Sequence, residues 1–167
     1  MDLLGKLKLR EPEYDAKYYD MILDYTIEQG AKMGTAGEEE KWKQGKYFST
    51  RYEMYMYATL LGMKRDYSIS LEKGIEKKSF IKIDSWRPVD IADFIIMGAL
   101  AKTDVDFFSL ENMVEEEVDK KISELKSTIE SYANGGFDII RSKREEDETY
   151  FLENDNSFLD LLDEIKV

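Results

Sequence analysis

Two runs of carboxylates, Glu115-Glu116-Glu117 and Glu145-Glu146-Asp147, are the residues in this chain with the most evident capacity for chemistry. Converging carboxylates hold divalent metals, or act as an acid and base pair when burial or like charge raises one pKa. Contiguous residues on a helix point in different directions, so spacing alone brings neither run together. Glu124-Leu125-Lys126 has the Glu-x-Lys spacing of nuclease sites, but it falls inside a helical pattern with no preceding Asp-bearing strand. Asn134-Gly135-Gly136-Phe137 sets two glycines before an apolar segment, an arrangement that holds phosphate on backbone N–H groups at some helix starts. It lacks the Lys-Ser/Thr of a P-loop, and helix capping by Asn and Gly accounts for it.

The chain has no His and no Cys. It therefore carries no side chain that titrates near neutrality at its ordinary pKa, no thiolate nucleophile and no disulfide. These residues point to a non-catalytic protein with no assigned cofactor or metal. A metal-dependent enzyme built on clustered carboxylates is the remaining catalytic alternative.

What positions these groups is a chain of 167 residues, enough for one domain with a real core. An apolar fraction of 43% with 21 aromatics excludes a disordered polymer. No window suits a transmembrane helix, and Met1-Asp2-Leu3-Leu4-Gly5-Lys6 lacks the apolar core of a secretory signal. The expectation is a soluble, cytoplasmic protein.

The net charge of −12 is unevenly spread: −2 over residues 1–50, +1 over 51–100 and −11 over 101–167. A field of that sign repels a nucleic-acid backbone, so direct DNA or RNA binding is not expected. The clearly basic stretch is Lys64–Arg87, with seven cations against four anions. Its Lys64, Arg65, Lys73, Lys77, Lys78 and Lys82 are the candidate contacts for a protein partner.

Helical patterns dominate. The first runs from Tyr14 to Lys32, followed by a loop through Gly34, Gly37 and Glu38-Glu39-Glu40 towards Lys46. Thr50-Arg51-Tyr52-Glu53 has the form of a capping box opening a helix that ends near Gly62 and Lys64-Arg65. Residues 66–86 contain two short alternating segments, read as a β-hairpin or an irregular arm.

Arg87-Pro88 opens a helix over Val89–Ala101 that is apolar on nearly every side, which reads as the central core element with Phe94 and Met97 inside. Ser109 caps a long helix to Asn134, with Leu110, Val114, Val118, Ile122, Leu125, Ile129 and Tyr132 as its stripe. That stripe suits packing within the domain or pairing with a second copy, so a homo-oligomer is open. Phe137-Asp138-Ile139-Ile140 fades into a charged run over 141–148, and Asp155-Asn156-Ser157 caps a last helix carrying Phe158, Leu161 and Ile165. The reading is a mainly α, compact single-domain bundle of about five to six helices over residues 1–167. Residues 1–47 form an N-terminal helix and loop, and 48–167 the core bundle.

Three blocks carry a resemblance. They are Phe48-Ser49-Thr50-Arg51-Tyr52-Glu53 continuing to Tyr57-Ala58-Thr59-Leu60-Leu61-Gly62-Met63-Lys64-Arg65, then Ile91–Ala101, then Tyr132-Ala133-Asn134-Gly135-Gly136-Phe137-Asp138-Ile139-Ile140. In that order the chain resembles the fourth Dnd system-associated protein over roughly residues 48–165. That family accompanies DNA phosphorothioation and restriction genes in prokaryotes. The resemblance implies a context of antiphage defence and carries no catalytic motif across. It supports an accessory or regulatory protein acting on a restriction or modification component. The alternative is an acidic decoy that imitates DNA and fills a basic groove.

Overall fold

The computed structural model describes residues 2–27 and 47–164. Among these are seven α-helices: α1 (Leu3–Lys8), α2 (Tyr19–Tyr25), α3 (Arg51–Arg65), α4 (Val89–Lys102), α5 (Glu115–Glu146), α6 (Tyr150–Glu153) and α7 (Ser157–Asp163). Two short strands, β1 (Glu13–Asp15) and β2 (Lys77–Ser79), form an antiparallel pair with Tyr14 opposite Lys78. The mainly α class is as the sequence indicates.

α5 is the spine, 32 residues and so roughly 48 Å long at the rise of an α-helix. It does not stop at Asn134-Gly135-Gly136, and it opens at Glu115, not at Ser109. The Ser109 hydroxyl donates to the Asp106 carbonyl in a turn, at 2.8 Å. The glycines serve close packing instead of termination. A Cβ on Gly136 would collide with the Ala58 carbonyl of α3, and one on Gly135 with the Tyr67 carbonyl. On the facing helix, a Cβ on Gly62 would strike the Tyr132 carbonyl. Small residues at the crossing let α3 and α5 meet backbone to backbone.

Asn134 is likewise a buried clamp. The Asp15 N–H donates to its Oδ1 at 3.1 Å, and its Nδ2 donates to the Ile69 carbonyl at 3.4 Å. One turn earlier, Glu130 accepts from the Glu13 N–H at 2.6 Å. These two α5 side chains satisfy the edge of β1 that faces away from β2. The first sequence-derived helix is thus replaced by β1, a 3₁₀ turn over Ala16–Tyr18 and α2; its residues 28–32 lie outside the described set, as do the loop to Lys46 and Ile165. The arm supplies β2, and its partner strand comes from the N-terminal segment.

The capping box at α3 holds: the Glu53 N–H donates to Thr50 Oγ1 at 3.2 Å, while the Glu53 carboxylate takes the Ser49 N–H at 3.0 Å. At the other end Asp66 adopts the left-handed conformation, with φ 48°. Its N–H bonds Met63 and the Tyr67 N–H bonds Gly62, the Schellman arrangement.

Two aromatic clusters fill the interior. Tyr14 stacks on Phe80 at 4.9 Å and meets Phe137 at 5.8 Å, with Tyr55 and Trp86 5.7 Å apart beside them. Phe158 stacks on Phe151 at 4.4 Å and meets Tyr25, Phe48 and Tyr57, fastening α6 and α7 to α2 and α3. Among the described residues no helix is long and apolar enough to cross a membrane.

Candidate partner-binding surfaces

The six basic candidates separate into two groups. Lys64 and Arg65 end α3 and turn to the C-terminal helix. Arg65 is only 6% exposed; it donates to the Leu161 carbonyl at 2.7 Å and pairs with Glu164 at 3.4 Å. Lys64 reaches Asp163 at 3.8 Å. The cleft of about 260 Å³ beside Arg65 also holds Lys143, Asp138, Glu146 and Glu164. Three carboxylates against two cations make it a poor seat for an anion.

Lys73, Lys77, Lys78 and Lys82 are spread along the arm, with Lys77 and Lys78 on β2. Lys78 is half-buried with its ammonium 4.3 Å from the centre of the Tyr19 ring, a cation–π contact. Lys73, Lys77 and Lys82 are exposed. The β-pairing sets Asp15 opposite Lys77, which tempers the positive field of the arm.

The carboxylates do not assemble a centre. Glu115, Glu116 and Glu117 occupy the first turn of α5, where the helix dipole favours them. Among the described residues no group of three or more acidic side chains is arranged to hold a metal ion. Glu124 accepts from Lys121 at 3.0 Å, and Lys126 lies between Glu13 and Glu130, at 3.3 and 3.1 Å. The Glu-x-Lys residues are therefore part of a helix-to-strand network. Burial pushes the Glu130 carboxyl above its usual range, against the pull of the Glu13 N–H and Lys126. Burial also pushes the Tyr14 and Tyr18 phenols up, so both stay protonated. With no helix start at Phe137, the glycine pair presents no N–H groups to a phosphate.

A second surface went unseen in the sequence. Phe94 and Met97 of α4, read there as core, are 63% and 66% exposed. The helix buries Ala92, Ile95, Ile96 and Ala99 on one face, and its apolar residues on the other face remain outside. Phe107 and Phe108 on the following turn are 61% and 93% exposed. A groove of about 500 Å³ between α1, α4 and the start of α5 is lined by Leu4, Leu100, Phe107, Leu110 and Met113, with Asp2 and Glu111 at its edge. Hydropathy marks these residues as apolar; only the packing shows that none of the described residues covers them.

The geometry defines a small, mainly helical protein with exposed lysines on its arm and exposed apolar side chains along α4 and the turn that follows. Residues 32–161 match the family described as DNA sulphur modification system-associated protein 4, and the chain belongs to it. The match begins earlier than residue 48, where the sequence blocks start, and so takes in part of the N-terminal region. No curated protein and no solved structure matches the chain.

Proposed function

We propose that the protein is a non-catalytic accessory or regulatory subunit of a prokaryotic DNA-modification or antiphage defence system. It works in the cytoplasm by contacting a restriction or modification protein. Membership of a family associated with DNA sulphur modification carries this reading. A net charge of −12 supports protein partners over direct contact with DNA. The exposed lysines of the arm, Lys73, Lys77 and Lys82, with Lys78 beside them, are the contact residues. Lys64 and Arg65 act on that surface by fixing the end of α3 against α7.

The test is genetic. Sulphur incorporation into DNA and resistance to phage are measured in cells lacking the gene, then in cells complemented with the wild-type chain or with alanine at the four arm lysines. The reading expects at least one of the two outputs to fall in the deletion strain, with recovery by the wild type and not by the arm variant. If the deletion strain matched its parent in both outputs, the accessory role would be refuted.

A further inference from the structure

We infer that the groove between α1, α4 and the start of α5 is the docking site for a cationic amphipathic helix of a partner protein. The inference rests on the reading of the chain as one that works through protein contacts, and it adds a surface of opposite chemistry to the basic arm.

The groove has an apolar floor that extends beyond its edge. Phe94, Met97 and Leu100 follow one another at intervals of three along α4, so the exposed pair continues the groove floor along the helix. Phe107 stands in the groove wall, and Phe108 next to it is almost wholly in water. Contiguous aromatic and Met surface of this kind marks a binding site on a soluble protein.

The rim selects the occupant. Residues 103–119 contain seven carboxylates and no Lys or Arg. Among the described residues Lys6 is the one cation in ion pairs with them, at 3.2 Å from Glu115 and 3.6 Å from Asp119. Asp93, on the α4 side, is held by Lys8 at 2.9 Å. Among the described residues no cation pairs with Asp2, Asp106, Glu111, Glu116 or Glu117; Asp2 and Asp106 accept the Gly5 and Phe108 N–H groups, and all five carboxylates complement positive charge from outside. A second copy docked by a twofold axis would set this rim against itself, carboxylate to carboxylate. An anionic lipid surface or a nucleic acid is repelled for the same reason.

The walls decide the form of the segment. They are α1, α4 and α5, whose backbone groups are bonded internally, and the turns of the 103–114 connection, so an extended peptide finds no strand edge to join. A helix brings its own backbone bonds satisfied. It lays apolar anchors at i, i+3, i+4 and i+7 along the floor while flanking Lys or Arg meet the rim.

Three synthetic amphipathic helices test this, sharing one leucine stripe and carrying lysine, glutamine or glutamate on their flanks. Each is titrated against the full-length chain at low and at physiological salt. The lysine helix is expected to bind roughly tenfold or more tighter than the glutamine helix, to weaken with salt, and the glutamate helix not to bind. Phe108→Ser and Met97→Gln, both on exposed side chains, are expected to weaken the lysine helix severalfold with unchanged melting.

Equal binding of the three peptides, no binding of the lysine helix, or indifference to both substitutions would overturn the proposal. So would sedimentation showing a dimer that Phe108→Ser dissociates, which would give the groove to a second copy. None of these outcomes depends on the arm lysines or on any defence phenotype, so this inference and the functional reading fail separately.

Discussion

Gly136 of α5 lies backbone to backbone against Ala58 of α3, so that a methyl group on Gly136 would occupy the place of the Ala58 carbonyl oxygen. The close approach explains how an Asn-Gly-Gly stretch sits in the middle of a 32-residue helix. A glycine there costs about 1 kcal/mol of helix propensity relative to alanine, and the crossing it permits offsets that cost.

Gly136→Ala should destabilise the protein by about 1–3 kcal/mol or more, because the obstacle is backbone that cannot rotate away. Gly98→Ala makes the control. Its Cβ would meet the Met63 Sδ at 2.8 Å, the end of a flexible side chain that can shift. That substitution should stay within about 1 kcal/mol of wild type, since added helix propensity offsets the repacking. Thermal and urea melts of the two variants check the contrast.

Glu130 predicts a pH dependence. Burial raises its folded-state pKa above the usual value of 4.5, so the folded state holds this proton more tightly than the unfolded chain does. Its favourable contribution is complete below the usual value and disappears as pH rises through the raised one. Glu130→Gln keeps an oxygen for the Glu13 N–H and removes the charge, so it should flatten the stability profile between that value and neutrality. Glu130→Ala should instead cost about 1–3 kcal/mol, because it leaves the Glu13 N–H without its acceptor. Urea melts across mildly acidic and neutral pH separate the two.

Arg65 and Lys64 are neighbours in sequence with different structural weight. Arg65→Met removes the bond to the Leu161 carbonyl and the pair with Glu164, and should cost about 1–3 kcal/mol while speeding proteolysis of the C-terminal helices. Lys64→Ala removes one long, exposed ion pair and should change stability by less than about 0.5 kcal/mol. Limited proteolysis followed by mass spectrometry locates the cut sites.

Alanine at Lys73, Lys77 and Lys82 should leave stability within about 0.5 kcal/mol of wild type, as these side chains are exposed. Any loss of partner binding in such variants would then report on the surface and not on folding. Circular dichroism melts beside a binding titration make the distinction.

How much of this was legible follows from where each signal resides. The start of α3 was readable from four residues, because a capping box is local chemistry. The end of α5 was not, because Asn-Gly-Gly carries a stop signal that a partner helix overrides. The pairing of β1 with β2 joins residues more than sixty positions apart, and no short pattern announces it. The basic arm was visible as composition, yet its division into Lys64 and Arg65, which end α3 against α7, and the lysines beyond depends on tertiary contacts. The apolar groove escaped because Phe94 and Met97 have the same hydropathy whether a core or a partner is to cover them.

The central claim is that this chain acts by holding another protein of its modification system. The direct measurement is purification of the tagged full-length protein from its native host, with mass spectrometry of what accompanies it in stoichiometric amount. The account predicts a DNA-modification or restriction protein in the wild-type sample, depleted when Lys73, Lys77, Lys78 and Lys82 are replaced by alanine. Recovery of the chain alone, with the system expressed, would contradict it.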